Sequence, residues 1–329
     1  MVWFEFVLAA GIVIFAGTKL AYVGDKLGEA MGWERSWVGL LLLSFSTSLP
    51  ELFTSVSASG VLHQPDLALG NNLGSVAFNL FLISILDLME KGPFTYRLNP
   101  KLLLSGTFIL LIMLMLGGFL IHPLPWGFLG VGGDTLIIFI IFIFAMRFTF
   151  LYQHKDYLND NSVTNRWKGD SLRWWILYFF LALMILGGGL WLANVGEKIS
   201  KVTGISRSFV GTLFLAFATS LPELSTTTSC IRMGLYDMAV GNILGANLQN
   251  LAIPFFSDIF FRQGYFLAYA SPVHLFTLII GGILTCILLL GIIYRSERHF
   301  LRMGWDSILM LLVYLVGMYL VFRNPLITR

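Results

Sequence analysis

Two stretches of the chain carry the same string of oxygen-bearing residues. Ser44-Phe-Ser-Thr-Ser-Leu-Pro-Glu-Leu52 and Ala216-Phe-Ala-Thr-Ser-Leu-Pro-Glu-Leu224 agree at seven of nine positions. Each has a proline, a carboxylate directly after it (Glu51, Glu223) and a Thr-Ser pair just before it (Thr47 and Ser48, Thr219 and Ser220). Inside a helix each proline removes an N–H and frees the carbonyl four residues earlier, at Ser46 and Ala218. Carboxylates, hydroxyls and freed carbonyls are all hard oxygen donors. Together they suit a hard cation such as Ca²⁺, which takes about six to eight oxygens; two bidentate glutamates with the carbonyls of Thr47 and Thr219 would supply about six. One helix later Asn79 and Asn250 stand at matching places, and their amide oxygens could complete the set. The intervening Gly70-Asn-Asn-Leu-Gly74 and Gly241-Asn-Ile-Leu-Gly245 read as surfaces for close helix approach.

The elements that must hold these residues are membrane spans. Of 329 residues 57% are apolar and only 12% charged, against roughly 25% charged in a soluble domain, which excludes a soluble globule. At about 20 residues per crossing there is apolar material for roughly nine or ten helices. The first apolar stretch runs to Tyr22, carries Glu5 in place of a basic leader and reads as a retained helix. The others centre on Leu41 to Ser59, Leu67 to Leu88, Leu102 to Ile121, Asp134 to Phe150, Trp174 to Ala193, Val210 to Ile231, Met238 to Phe261, His274 to Tyr294 and Asp306 to Phe322, making ten. An ionised carboxylate in hydrocarbon is costly, and no Lys or Arg lies mid-span to pair with Glu51 or Glu223. Two such acids facing each other would be unstable when empty, so the site should always hold Ca²⁺, monovalent cations or protons. A bundle that resists moving while empty is an exchanger.

The remaining candidates read as structural. Asp134 and Asp306 each follow a glycine-containing turn and open an apolar run, as a helix N-cap does. The five histidines lie at span ends or in loops without metal-ligand spacing, and Cys230 and Cys286 lie in apolar segments. This predicts no disulfide framework, no soft-metal site and no cofactor. The net charge of +3 is spread over loops, so no nucleic-acid partner is expected, and no protein partner is predicted.

The halves are copies. A shift of 172 residues lays Val23–Gly39 on Val195–Gly211 with eight identities in seventeen, and a shift of 171 lays Ala68–Asn79 on Ala239–Asn250. The polar stretch 152–173 divides them, giving a first repeat over 1–151, a cytosolic linker over 152–173 and a second repeat over 174–329. Five spans is an odd number, so the second copy enters from the opposite side: an inverted repeat, the architecture that places a site at the midplane and alternates access to it. Of the 21 Lys and Arg, 15 fall on the linker side and 6 on the side of the termini, which puts both termini outside. The fold class is an all-α polytopic membrane protein of ten helices, and the composition fits a prokaryotic inner (plasma) membrane.

The doubled Thr-Ser-Leu-Pro-Glu, each copy followed by Gly-Asn-x-x-Gly and a later Asn, resembles the two alpha repeats of the calcium/cation antiporter superfamily, in its prokaryotic sodium/calcium exchanger branch. That resemblance implies ten helices in two inverted repeats and export of Ca²⁺ in exchange for Na⁺ through four central cation positions. It makes Glu51 and Glu223 the central ligands shared by both ions, with Thr47, Ser48, Thr219 and Ser220 lining the site. Backbone carbonyls would come from Ser44 and Ala216, and Ser75 and Asn79 would add donors from the third helix. Helices 1 and 6 would glide past the other eight. The sequence departs from the family pattern at Asn250, where Asp is common, at Ala246, where Ser is common, and at Val76, where Asn is usual. The missing hydroxyl should weaken the outward Na⁺ position. Residues 152–173 leave no room for an inserted Ca²⁺-sensing domain.

The leading expectation is a Ca²⁺ antiporter driven by Na⁺. The alternative runs the same two-glutamate site on protons, which Asn250 and Ala246 make plausible, and Mn²⁺ is a third cargo that all-oxygen ligation disfavours. An intramembrane serine protease lacks a mid-span His base, a paired-acid protease would use aspartates, and an ion channel needs no ion-trapping carboxylates.

Overall fold

The computed structural model describes residues 2–90, 92–158, 171–203, 217–300 and 303–323. Apart from two two-residue hairpins its regular structure is helical. The first half contains α1 (Val2–Met31), α2 (Arg35–Thr47), α3 (Leu49–Gly60), α4 (Pro65–Met89), α5 (Leu102–Ile121), the hairpin β1–β2 (Gly127–Phe128, Val131–Gly132) and α6 (Gly133–Leu158). The second contains α7 (Ser171–Thr203), α8 (Leu221–Arg232), α9 (Tyr236–Phe260), α10 (His274–Tyr294), the hairpin β3–β4 (His299–Phe300, Met303–Gly304) and α11 (Trp305–Arg323). Among the described residues the succession from α3 to α6 recurs from α8 to α11, and α7 corresponds to α1; most of the counterpart of α2 lies outside the described residues. α3 and α8 are both 12 residues long, and α4 and α9 are both 25.

Six of the described helices are long and apolar enough to cross a membrane, and α2 with α3, bent by 44°, is long and apolar enough only as a pair. The chain is an integral, multi-pass helical membrane protein. α9 matches α4 in length but carries Asn242, Asn247, Gln249 and Asn250, all but Gln249 fully buried, and is held inside the bundle rather than against lipid. Of the span expected over Val210 to Ile231, positions 210–216 lie outside the described residues, as does Ala216 among the candidate ligands. The helices α6 and α7 reach Leu158 and Ser171, so both ends of the polar stretch 152–173 are helical.

The bend between α2 and α3 falls at Ser48, with φ −87° and ψ 2°. Pro50 therefore sits in the first turn of a new helix, where a missing N–H has no intrahelical partner to lose. The sequence expectation of a proline inside one continuous span is corrected to a helix that stops and restarts. Ser220, with φ −88° and ψ 5°, repeats the geometry before Pro222.

Glycine sets how closely these broken helices are held. A Cβ at Gly241 or Gly245 of α9 would collide with the backbone oxygens of Ser36 and Leu40 of α2, and one at Gly39 with the carbonyl of Met238. The packing expected of the second glycine segment is thus a direct backbone crossing of α2 and α9. α1 lies along α7, and both lean on the restarted helices. Gly189 of α7 sits on the Pro50 ring, whereas Gly17, its counterpart in α1, sits on Ser225 and Thr226, three and four residues beyond Pro222. The two halves differ here by about one helical turn, roughly 5 Å of rise.

Candidate functional site

Restarting the helices at Leu49 and Leu221 puts Glu51 and Glu223 in the first turns of α3 and α8, both fully buried. A helix N-terminus carries unpaired N–H groups and the positive end of the dipole, so a carboxylate is better tolerated there than elsewhere in an apolar interior. The hydroxyls reach them crosswise. Thr219 and Ser220 of the second half lie against Glu51, while Thr47 and Ser48 of the first lie against Glu223. Ser48 Oγ donates to Glu223 Oε1 at 3.3 Å. Neither Glu51 oxygen, nor Oε2 of Glu223, has a hydrogen bond of good geometry. Buried acceptors in that condition are expensive, and a cation or a proton is the kind of group that satisfies them.

Ser75 of α4 joins the cluster through Ser220, whose Oγ lies 3.3 Å from Ser75 Oγ. At the mirrored place in α9 stands Ala246, without a hydroxyl, and Ser48 turns to the carboxylate instead. Asn79 and Asn250 are fully buried; Asn79 Oδ1 and both polar atoms of Asn250 have no partner. Ser44 is also buried, but its carbonyl accepts the Ser48 N–H at 2.9 Å and lies 3.3 Å from Thr47 Oγ1, so it is engaged within the bend. The structure thus brings together Glu51, Glu223, Thr47, Ser48, Thr219, Ser220 and Ser75.

Several residues that support the cluster escaped the sequence reading. Asn242 Nδ2 donates to Thr227 Oγ1 at 2.9 Å and its Oδ1 faces Thr47 at 3.5 Å. In the first half Asn71 Nδ2 donates to Ser55 Oγ at 3.1 Å. These matched pairs tie each restarted helix to the helix after it. Their signal was present, because Asn71 and Asn242, and Ser55 and Thr227, align in the repeat. Tyr178 of α7 gave no such signal: its Oη donates to the Leu42 carbonyl at 2.8 Å and accepts from Ser46 Oγ at 2.8 Å. The Leu42 carbonyl belongs to a π-helical stretch, Val38–Leu43, whose wider winding leaves carbonyls for outside donors. Gln249 Nε2 similarly donates to Ser44 Oγ at 2.7 Å. Asp134 and Asp306, expected as N-caps, are instead the second residues of α6 and α11; Asp134 accepts the N–H groups of Thr135 at 2.8 Å and Leu124 at 3.4 Å, outside the site.

Buried carboxylates paired crosswise with hydroxyls at two broken helices, inside a repeated membrane bundle, define a class: cation transporters with a central oxygen-lined site. The chain belongs to the sodium/calcium exchanger protein family, whose pattern matches residues 1–151 and again 173–323. It lies in the prokaryotic calcium/cation antiporter branch. It is 28% identical to the inner membrane protein YrbG of Escherichia coli over 74% of each chain. It is 23% identical to the sodium/calcium exchanger MaX1 of Methanosarcina acetivorans, over 96% of this chain and 97% of that one. Its fold is that of the sodium-calcium exchanger NCX_Mj, with a TM-score of 0.75 at 22% identity, covering 97% of this chain and 99% of the other.

Proposed function

We propose that the protein exchanges Ca²⁺ for Na⁺ by alternating access to one central site. The observation that carries this reading is the crosswise pairing of each half's glutamate with the other half's Thr-Ser, which leaves three carboxylate oxygens without a hydrogen bond. Glu51 and Glu223 are the ligands shared by Ca²⁺ and Na⁺, and Thr47, Ser48, Thr219, Ser220, Ser75, Asn79 and Asn250 supply further oxygens. The domains are a five-helix repeat over 1–151, a linker over 152–173 and a second, inverted repeat over 174–329, ten helices in all with both termini outside. A prokaryotic inner membrane suits this topology and the likeness to YrbG. The transported ions are the only small partners required, and no cofactor takes part.

Bound Ca²⁺ neutralises the two glutamates, and that neutrality permits α1 and α7 to slide. The one-turn difference between the seats of Gly17 and Gly189 supports this step. Exchanging the two registers moves α1 and α7 together along α8 and α3, and yields a second conformation from the same contacts. Asn250 and Ala246 favour protons as the alternative driver, because an acid and a hydroxyl common in the family are missing there.

The test is ⁴⁵Ca²⁺ uptake into proteoliposomes under an outward Na⁺ gradient, an equal K⁺ gradient, or a pH gradient alone. Uptake with Na⁺ only is expected; uptake with the pH gradient alone makes the protein a proton-coupled antiporter. Glu51→Gln and Glu223→Gln should each abolish uptake while the protein still purifies as a folded species. Normal flux in either variant would remove that glutamate from the site.

A further inference from the structure

We infer that Asn247 is a positioning residue that fixes the amide of Asn79 with its oxygen free for the cation. This rests on the reading of Glu51 and Glu223 as the cation site. An amide can be turned either way, but here a carbonyl decides it. The Val76 carbonyl can only accept, so the amide group facing it, 3.3 Å away, is Asn247 Nδ2. Asn247 Oδ1 then points the other way, toward Asn79, and only an N–H donor can meet it. Asn79 presents Nδ2 to it at 3.1 Å. The consequence is that Asn79 Oδ1 is left over, buried and unpartnered. Asn79 lies one turn after Ser75 on the same face of α4, and Ser75 already touches Ser220 of the cluster.

The second half has no equivalent device. In the repeat Asn250 corresponds to Asn79, and the residue that corresponds to Asn247 is Val76, which has no amide to offer. Both polar atoms of Asn250 are accordingly unpaired, and its orientation is unset. One half contributes a pre-oriented oxygen donor and the other a free-turning one. Pre-orientation raises affinity because ordering is complete before the ion arrives.

The experiment measures ⁴⁵Ca²⁺ uptake against Ca²⁺ concentration for the wild type, Asn247→Ala, Asn79→Ala and the double variant, with thermal melting of each purified protein as a check on folding. Asn247→Ala should raise the half-saturating Ca²⁺ concentration about five- to tenfold, the size of one oriented hydrogen bond, with the maximal rate changed less than about twofold. In the Asn79→Ala background the same substitution should add nothing, because its effect acts through Asn79. Val76→Asn, which supplies the missing lock to Asn250, should lower the half-saturating concentration. An unchanged half-saturation in Asn247→Ala, or effects of the two alanines that multiply, would overturn the inference while wild-type transport stands. Absence of wild-type Ca²⁺ transport would instead remove the reading on which it rests.

Discussion

At the scale of the residue, the two glutamates are equivalent in sequence but not in their surroundings. Ser48 donates to Glu223 at 3.3 Å, while Ser220 lies against Glu51 but its hydrogen bond of good geometry is to Ser75, a hydroxyl with no counterpart at Ala246 of α9. A hydrogen bond to a charged group is worth about 1.5–3 kcal/mol and one between neutral groups about 1. Ser48→Ala should therefore raise the half-saturating Ca²⁺ concentration more than about tenfold, and Ser220→Ala only about fivefold, both read from uptake curves. Equal effects would mean that the asymmetry of the hydroxyls has no functional weight. Most of this site was legible in the sequence, because Thr-Ser-Leu-Pro-Glu occurs twice and each residue type in it is a hard donor. Its crosswise pairing was not legible. Which hydroxyl faces which carboxylate depends on how helices from opposite halves meet, and no local spacing encodes that. Asn247 was hidden for a related reason: its partner at position 76 is a valine, and the interaction uses the backbone of that residue rather than its side chain.

At the scale of the element, hydropathy identified α1, α4, α5, α6, α7 and α10, which are the apolar helices. The apolar stretch read over Met238 to Phe261 also marks α9, but hydropathy says nothing of its buried asparagines, which serve the interior and which only the repeat singled out at Asn250. Proline signalled the break before Glu51, yet a proline inside a span and a proline restarting one look alike in sequence, and only the backbone at Ser48 separates them. The proposed slide of α1 and α7 gives a sharper prediction. Gly189 is seated on Pro50 with no room for a side chain, while Gly187, two residues away, has open space around it. Gly189→Leu should therefore reduce Ca²⁺ flux at least tenfold by denying α7 this register, and Gly187→Leu should transport within about twofold of wild type. Ca²⁺ binding to purified Gly189→Leu in detergent should persist, since the glutamates are untouched. Equal flux in the two variants would show that the Gly189 seat is not used during transport.

At the scale of the whole molecule, four aspartates do what no motif announced. Asp87, at the end of α4, accepts the Phe94 N–H of its own half at 3.0 Å and the Gly304 N–H of the other half at 2.7 Å. Asp258, at the end of α9, does the reverse, accepting the Phe266 N–H at 2.8 Å and the Gly132 N–H at 2.7 Å. Asp66 and Asp237, in the first turns of the same two helices, accept the N–H groups of Ser271 and Asn99 at 2.6 and 2.7 Å, again each from the opposite half. α4 and α9 are thus clamped at both ends to the partner half's fourth and fifth helices, by carboxylates on backbone donors. The frame around α4 and α9 is woven from both repeats, so each half depends on the other for its clamps. The clamps differ in burial, and burial sets their worth. Asp258 is fully buried, whereas the Asp66 side chain is 57% exposed and water can replace it. Asp258→Ala strands two backbone N–H groups, each costing about 1–3 kcal/mol when unsatisfied, while the Thr135 hydroxyl keeps the Gly132 carbonyl as its acceptor. It should lower the melting temperature in detergent by about 5–10 °C, and Asp66→Ala by less than about 2 °C. If Asp258→Ala melted with the wild type, the Asp258 clamp would have no part in holding the two halves together, and its worth could not be read from its burial.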